Sequence, residues 1–267
     1  MVKKILSKVF IYLILFLMYL PIFILIVFSF TSSDTIGVWN GFTFVLYGDM
    51  FKNEDLMTAV GNTVLIAIVS AIVSTIIGTL GAIGTFYSSK RYKKFIETIT
   101  QLPVVNAEIV MALSLAVLFV LITGGKFTFL TLLVGHVVLT VAFVYLSVKP
   151  KLQQMDPNIY EAALDLGAAP RRALFKVIFP EILPGILSGF MLSLTLSLDD
   201  FVITQYLKEP SFETLSTYVQ KILSKRPMPP EVRALTTFIF LLAVIIVIVN
   251  NIKSRHEANK LLKKGGN

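Results

Sequence analysis

The chain has 267 residues, 55% apolar and only 15% charged, with a formal net charge of +8. Soluble domains carry about 25% charged residues, so this composition, with a mean hydropathy of +0.80, excludes a water-soluble globule. The absence of cysteine excludes disulfides, iron–sulfur clusters and thiolate zinc sites.

A bilayer core about 30 Å thick is crossed by roughly 20 apolar residues. Six segments meet that length: 9–30, 59–86, 103–123, 127–148, 182–207 and 234–252. They predict an all-α membrane protein with six transmembrane helices. The start MVKKILSK precedes an apolar run too long for a signal peptide, with no small-x-small cleavage site after it, and reads as a retained first helix. With the N-terminus inside, 17 of the 24 Lys and Arg residues fall on the cytoplasmic side, which predicts an N-in, C-in orientation. The positive charge is thus mainly a topology signal with some attraction to anionic lipid, and nucleic acid is not implied. Three stretches follow: 1–58 as first helix and external loop, 59–252 as the membrane core with a cytoplasmic loop at about 149–182, and 253–267 as a basic cytoplasmic tail.

The first external loop, 31–57, is acidic through Asp34, Asp49, Glu54 and Asp55, and holds the single Trp39 as an interfacial anchor. The second segment is free of charge from Leu56 to Tyr87, long enough to tilt or to start outside the bilayer. Its Gly78, Gly81 and Gly84 lie inside an apolar run, where small residues serve close helix packing and not phosphate binding. Asn62 and Thr63 near its outer end read as interhelical hydrogen-bonders. Glu108 follows the LPVVN break and is expected near the cytoplasmic end of helix three, lining a cavity or reaching the interface. Gly124-Gly125-Lys126 runs into Phe127 and lacks an upstream glycine, so it is no Walker A loop. His136 stands alone in apolar helix four as a packing or hydrogen-bonding residue.

The stretch EAALDLGAAPRRALFKVIFPEILPG is a polar, basic island in this apolar chain. Asp156 and Pro157 suit a helix start, and Gly167 suits its end. Pro170 opens a second short helix that Pro180 is expected to end. Glu161 sits near the positive end of the first helix, Ala162 and Ala163 leave it smooth, and Arg171, Arg172 and Lys176 surround it with charge. The island is a docking surface or a plain cytoplasmic hairpin.

Asp199 and Asp200 follow in the outer half of helix five. A carboxylate at a bilayer centre costs about 2.5–3.5 kcal/mol on insertion scales, so such residues face a cavity or a partner. The pair flanks an aqueous path for a cation, with Phe201 and Tyr206 adding cation–π contacts, or it caps a helix break or pairs with a neighbouring subunit. Beyond them, Leu215, Tyr218, Val219, Ile222 and Leu223 share one helical face. That face predicts a short outer-surface helix, a gate, docking site or connector, stopped by MPPE at 228–231.

Glu161-Ala162-Ala163, Gly167 and Pro180 resemble the EAA loop of the membrane subunits of bacterial ABC importers. The wider runs SLDDFVIT, ETLSTYVQKIL, PPEVRALTT and LPVVNAEIVMALSL are similar to the spermidine/putrescine permeases of PotC type. The resemblance implies a MetI-like permease fold and ATPase coupling through Glu161, Ala162, Ala163, Gly167, Arg171 and Pro180. It implies a substrate path at Asp199, Asp200, Glu108, Phe201 and Tyr206. It also implies two copies of an ATP-binding subunit carrying ATP and Mg, a second permease as heterodimer partner, and an extracytoplasmic substrate-binding protein. No cofactor or metal is expected on this chain. Asn106-Ala107 replaces a second proline common in the family, and QYLKEPSF replaces a more aromatic run; both bear on which polyamine is carried. A permease for thiamine, ferric iron or an amino acid is the alternative. An enzyme is not supported: the aspartates are neighbours on one helix, and neither HExxH nor GxSxG occurs.

Overall fold

The computed structural model describes residues 2–33, 37–156, 158–224, 229–242 and 244–245. The basic tail, Asp34, Pro157, Met228, His256 and the end of the sixth expected span lie outside the described residues. Among the described residues every regular element is helical. Among the described residues four helices are long and apolar enough to cross a membrane, five if one bent pair of helices counts as a single span. The chain divides into two compact units, one from its first 57 residues with the stretch after Tyr218, the other Thr58–Tyr218.

In the first unit, α1 (Val2–Phe28) carries Pro21 inside it. None of its spanning window is buried within the chain, so the surface it offers is apolar throughout. Phe30, Phe42, Phe44 and Tyr47 pack as an aromatic cluster against α2 (Val45–Lys52). Ser29 Oγ lies 2.9 Å from the Tyr47 hydroxyl and closes that turn. Trp39 packs edge-on to Phe28 and stays half-exposed. The chain is helical again from 230 to 242, where buried Arg233 donates to the Ser33 carbonyl.

Most of α3 (Glu54–Phe86) belongs to the second unit. Its 33 residues rise about 1.5 Å each, so it outreaches a 30 Å core by roughly 20 Å. The third expected span is two helices, α4 (Lys90–Val105) and α5 (Glu108–Thr123), bent by 109°. Asn106 and Ala107 are extended, which turns the chain between them. The fourth, α6 (Phe129–Gln154), starts at a capping box of Thr128 and Thr131 and runs beyond the expected end at 148. After α7 (Asn158–Asp165) and α8 (Pro170–Ala173), a π-turn (Leu174–Ile178) passes straight into α9 (Phe179–Asp199).

Pro180 therefore begins α9 and does not end a helix. Proline lacks an N–H and collides with the carbonyl four residues back in an α-helix. The widened turn just before it, closed by the Phe179 N–H on the Leu174 carbonyl, absorbs that conflict. The expected fifth span is also broken: α9 stops at Asp199, and α10 (Val202–Leu207) is separate. Finally α11 (Leu215–Leu223) is the short amphipathic helix its apolar face predicts. Asn62 Nδ2 donates to the Glu213 carbonyl and Thr63 Oγ1 accepts the Leu215 N–H, fixing its start to α3.

Packing of α6 against α9 is extensive. It depends on Gly185 and Gly189, which bring α9 onto the α6 backbone: a Cβ at Gly189 would lie 3.1 Å from the Val144 Cα. On the other flank Gly78 of α3 meets Val144, while Gly84 meets nothing. Ala82, Tyr145, Val148, Leu152, Ile178 and Ile182 complete this core. A second core of Ile66, Ala112, Leu132, Ile203 and Leu207 seats α10 against α5 and α6.

Candidate functional site

The break between α9 and α10 separates the two aspartates by role. Asp200 leaves the helix (ψ 128°) and its side chain turns inward to buried positions. Its Oδ1 accepts the Ile203 N–H at 3.1 Å. Its Oδ2 accepts the Thr204 N–H at 2.8 Å and the Thr204 hydroxyl at 2.7 Å. Asp200 thus caps α10, satisfying donors that a helix start leaves open. Asp199, the last residue of α9, remains exposed.

Glu108 opens α5, where its charge suits the positive helix end. It lines one cavity of about 130 Å³ with Thr195, Leu196, Asp199 and Asp200. The expected position near the cytoplasmic end is corrected here. The 16 residues of α4 span about 24 Å at 1.5 Å per residue. They carry Glu108 from the basic end at Lys90–Lys94 to the α9–α10 break. Three carboxylates and a threonine supply the polar lining, with no basic side chain among the described residues. Phe201 is half-buried before α10 and Tyr206 is 38% exposed on it; neither lines this cavity. Thr195 was not foreseen, although it stands four residues before Asp199 and hence on the same helical face. His136, foreseen only as a hydrogen-bonding residue, reaches Ser197, Thr204 and Asp200.

The polar island is built as its local chemistry dictates. Asp156 Oδ1 accepts the Asn158 N–H at 2.9 Å and starts α7. Gly167 stops it at φ +83°, with Ala168 N–H on the Ala163 carbonyl and Gly167 N–H on the Leu164 carbonyl. Pro170 occupies the first turn of α8. Glu161, Ala162, Arg171 and Pro180 are exposed and Ala163 is half-buried; Leu166 is 89% exposed beside them. Behind the loop, Ile83, Tyr87, Tyr160, Pro170, Arg171 and Leu174 line a cavity of about 450 Å³. Tyr87 and Tyr160 pack at 5.4 Å there, and burial, then Tyr160, push the Tyr87 phenol above its ordinary pKa. The island is thus a surface-exposed loop of capped short helices set on α6 and α9, which pack tightly through glycines.

The family model described as "Binding-protein-dependent transport system inner membrane component" matches residues 74–257, and the chain belongs to that family. It is a multi-pass inner-membrane permease subunit of an ABC importer, a transport component and not an enzyme. Family membership implies an ATPase subunit, a second permease and a binding protein as partners. The spermidine/putrescine transport system permease protein PotC of Escherichia coli (strain K12) is 35% identical over 240 residues, 90% of each chain. The PotC protein of Haemophilus influenzae is 33% identical over 239 residues, 89% of this chain and 92% of the relative. The putrescine transport system permease protein PotI of Escherichia coli (strain K12) is 33% identical over 232 residues, 83% of this chain and 81% of the relative. Among solved structures, a bacterial ABC transporter importing the acidic polysaccharide alginate aligns with TM-score 0.71 at 16% identity, over 95% of this chain and 96% of that one. The MetNI methionine ABC transporter aligns with TM-score 0.55 at 16% identity, over 76% of this chain and 96% of that one. Those two similarities concern the fold alone.

Proposed function

We propose that this permease subunit translocates polyamines, spermidine or putrescine, into the cell. The observation that carries the reading is the identity of 33–35% with permeases named for those cations, over more than four-fifths of the chain. The cavity supplies matching chemistry. Exposed Glu108 and Asp199 stand on surface that lipid would penalise, and an amine chain offsets their charge. Phe201, just before α10, and Tyr206 on it lie outside the cavity lining and are assigned to the path beyond it, and Asp200 supports the path from within.

A binding protein delivers the cation to the outer face. ATP and Mg act on two copies of a partner ATPase, and its movement reaches this chain through Glu161, Ala162, Ala163, Gly167, Arg171 and Pro180. Because α9 continues from the loop through α8 and the π-turn, motion at the loop is transmitted to Asp199 along one helical path. A second, different permease completes the cavity. The cycle is a two-state alternation biased from a cytoplasmic site.

The test is uptake of labelled putrescine and spermidine by cells expressing the whole importer, with membrane insertion checked. Saturable uptake that Glu161→Lys abolishes and Asp199→Asn weakens is the expected result. A wild type that takes up neither polyamine while stimulating its ATPase rejects the polyamine reading and leaves the permease intact.

A further inference from the structure

Five polar side chains meet inside the Thr58–Tyr218 unit: Ser70 of α3, His136 of α6, Ser197 of α9, Asp200 at the break and Thr204 of α10. All are buried, Ser70, His136 and Thr204 completely. Ser70 Oγ donates to Ser197 Oγ at 2.9 Å, and Ser197 Oγ lies 2.7 Å from His136 Nδ1. His136 Nε2 lies 3.0 Å from Thr204 Oγ1 and 3.4 Å from Asp200 Oδ2.

The protons can be counted along this chain. Each hydroxyl has one. Thr204 gives its proton to Asp200, so the contact between Thr204 and Nε2 needs a proton on Nε2. Ser70 Oγ faces both Ser197 Oγ at 2.9 Å and the Ala67 carbonyl at 3.2 Å; with its one proton on the shorter contact, the Ser197 proton is left for Nδ1, which must then be bare. With that placement the neutral Nε2–H tautomer meets both conditions. An imidazolium would strand the Ser197 proton in a buried site, which costs a hydrogen bond. Thr140 Oγ1 donates to the His136 carbonyl and meets Ser74 Oγ, fixing the imidazole's backbone to α3 as well.

We infer that His136 is a positioning residue of the translocation path: a neutral imidazole that ties α3, α6 and α9 to the α9–α10 break, holds Asp200 inside the fold, and leaves Asp199 and Glu108 as the carboxylates presented to cargo. Its last step rests on the polyamine reading above; the tautomer and the lock do not. An apolar residue at 136 leaves Ser197 and Thr204 without their common partner, and the cap of α10 loosens. Glutamine reaches Thr204 with an N–H as Nε2 does. Asparagine is too short and can replace only the Nδ1 side.

The experiment uses the complete importer, in lipid nanodiscs for the first two of three readouts and in sealed proteoliposomes for the third. First, ¹⁵N-histidine NMR is recorded with His256→Gln, which leaves His136 as the sole histidine of this chain, the only labelled subunit. One protonated and one bare ring nitrogen, with Nε2 carrying the proton, is expected; two protonated nitrogens, or protonation at Nδ1, overturn the inference. Second, exchange of the Ile203 and Thr204 amides is expected to quicken about tenfold or more in His136→Leu and His136→Asn but not in His136→Gln. Unchanged exchange in His136→Leu, or His136→Gln as fast as His136→Leu, overturns it. Third, in putrescine uptake, His136→Leu is expected to lose about tenfold in maximal rate with a smaller change in KM, while Asp199→Asn chiefly raises KM. The reverse split overturns the separation of roles. The first two readouts need no cargo, so a wild type that imports no polyamine rejects the cargo assignment alone.

Discussion

Two glycines of α3, six residues apart, give opposite expectations for the same substitution. A Cβ at Gly78 would lie 2.7 Å from Val144 Cβ, 2.8 Å from Val144 Cγ1 and 3.0 Å from the Val141 carbonyl oxygen. At Gly84 it meets nothing within 4 Å. Alanine in place of a mid-helix glycine gains up to about 1 kcal/mol from backbone entropy and propensity. Overpacking a closed interface costs about 1–3 kcal/mol. Here the obstacles are a β-branched side chain locked between α3 and α9 and a backbone carbonyl, so the neighbours cannot swing aside. The net expectation is a loss of up to about 2 kcal/mol for Gly78→Ala and a gain of up to about 1 kcal/mol for Gly84→Ala. For a chain of this size that is a lowering of up to roughly 8 °C against a small rise. The assay is thermal unfolding in nanodiscs at one fixed scan rate, since membrane-protein midpoints depend on rate. Because the chain has no cysteine, a single introduced thiol can report the transition. Val144→Ala is expected to cost less in the Gly78→Ala background than it costs alone, since removing Cγ1 relieves part of the crowding, a coupling between contacting sites. Equal shifts for both glycines, or full additivity with Val144→Ala, would refute close packing at Gly78.

Three further outcomes are expected. Gly167→Val puts a β-branched residue at φ +83°, a conformation that costs an L-residue about 1–2 kcal/mol; ATPase stimulation by the permease should fall while solubilised yield holds, and unchanged coupling would dismiss the capped loop as a transmission element. Thr131→Val removes the capping box and the bond from Thr131 Oγ1 to the Leu207 carbonyl at 3.0 Å; losing a cap costs about 0.5–2 kcal/mol, and an unaltered unfolding midpoint would contradict that. The Lys149–Glu97 pair is 2.8 Å apart and three-quarters covered; as a partly screened pair it contributes about 0–1 kcal/mol, so Lys149→Met should shift the midpoint only slightly, and a loss of several degrees would show a larger role in holding α4 to α6.

The sequence by itself determined what is local. Long apolar runs had to become helices, since only internal hydrogen bonding satisfies a backbone in lipid. Asp156, Gly167 and Pro170 set their caps within a few residues of themselves, so α7 and the start of α8 were legible, but not where α8 ends. The amphipathic face of α11 was legible for the same reason, whereas Asn62 and Thr63 were legible only as hydrogen-bonding types, their partners being Glu213 and Leu215 far along the chain. Tertiary structure decided what depends on direction and on distant partners. Apolarity marks a span but not the 109° turn at Asn106–Ala107, and that turn brings Glu108 to Asp199. Pro180 reads as a stop until the π-turn before it accommodates the ring. Nothing adjacent distinguishes Asp199 from Asp200. Asp200 turns inward because the amides of Ile203 and Thr204 offer it donors and His136, 64 residues earlier in the chain, is packed beside it. Gly185 and Gly189 look like ordinary glycines in an apolar helix until α6 lies against them. Caps and helices are fixed by atoms a turn away, whereas a cavity of charges exists only once separate helices have closed around it.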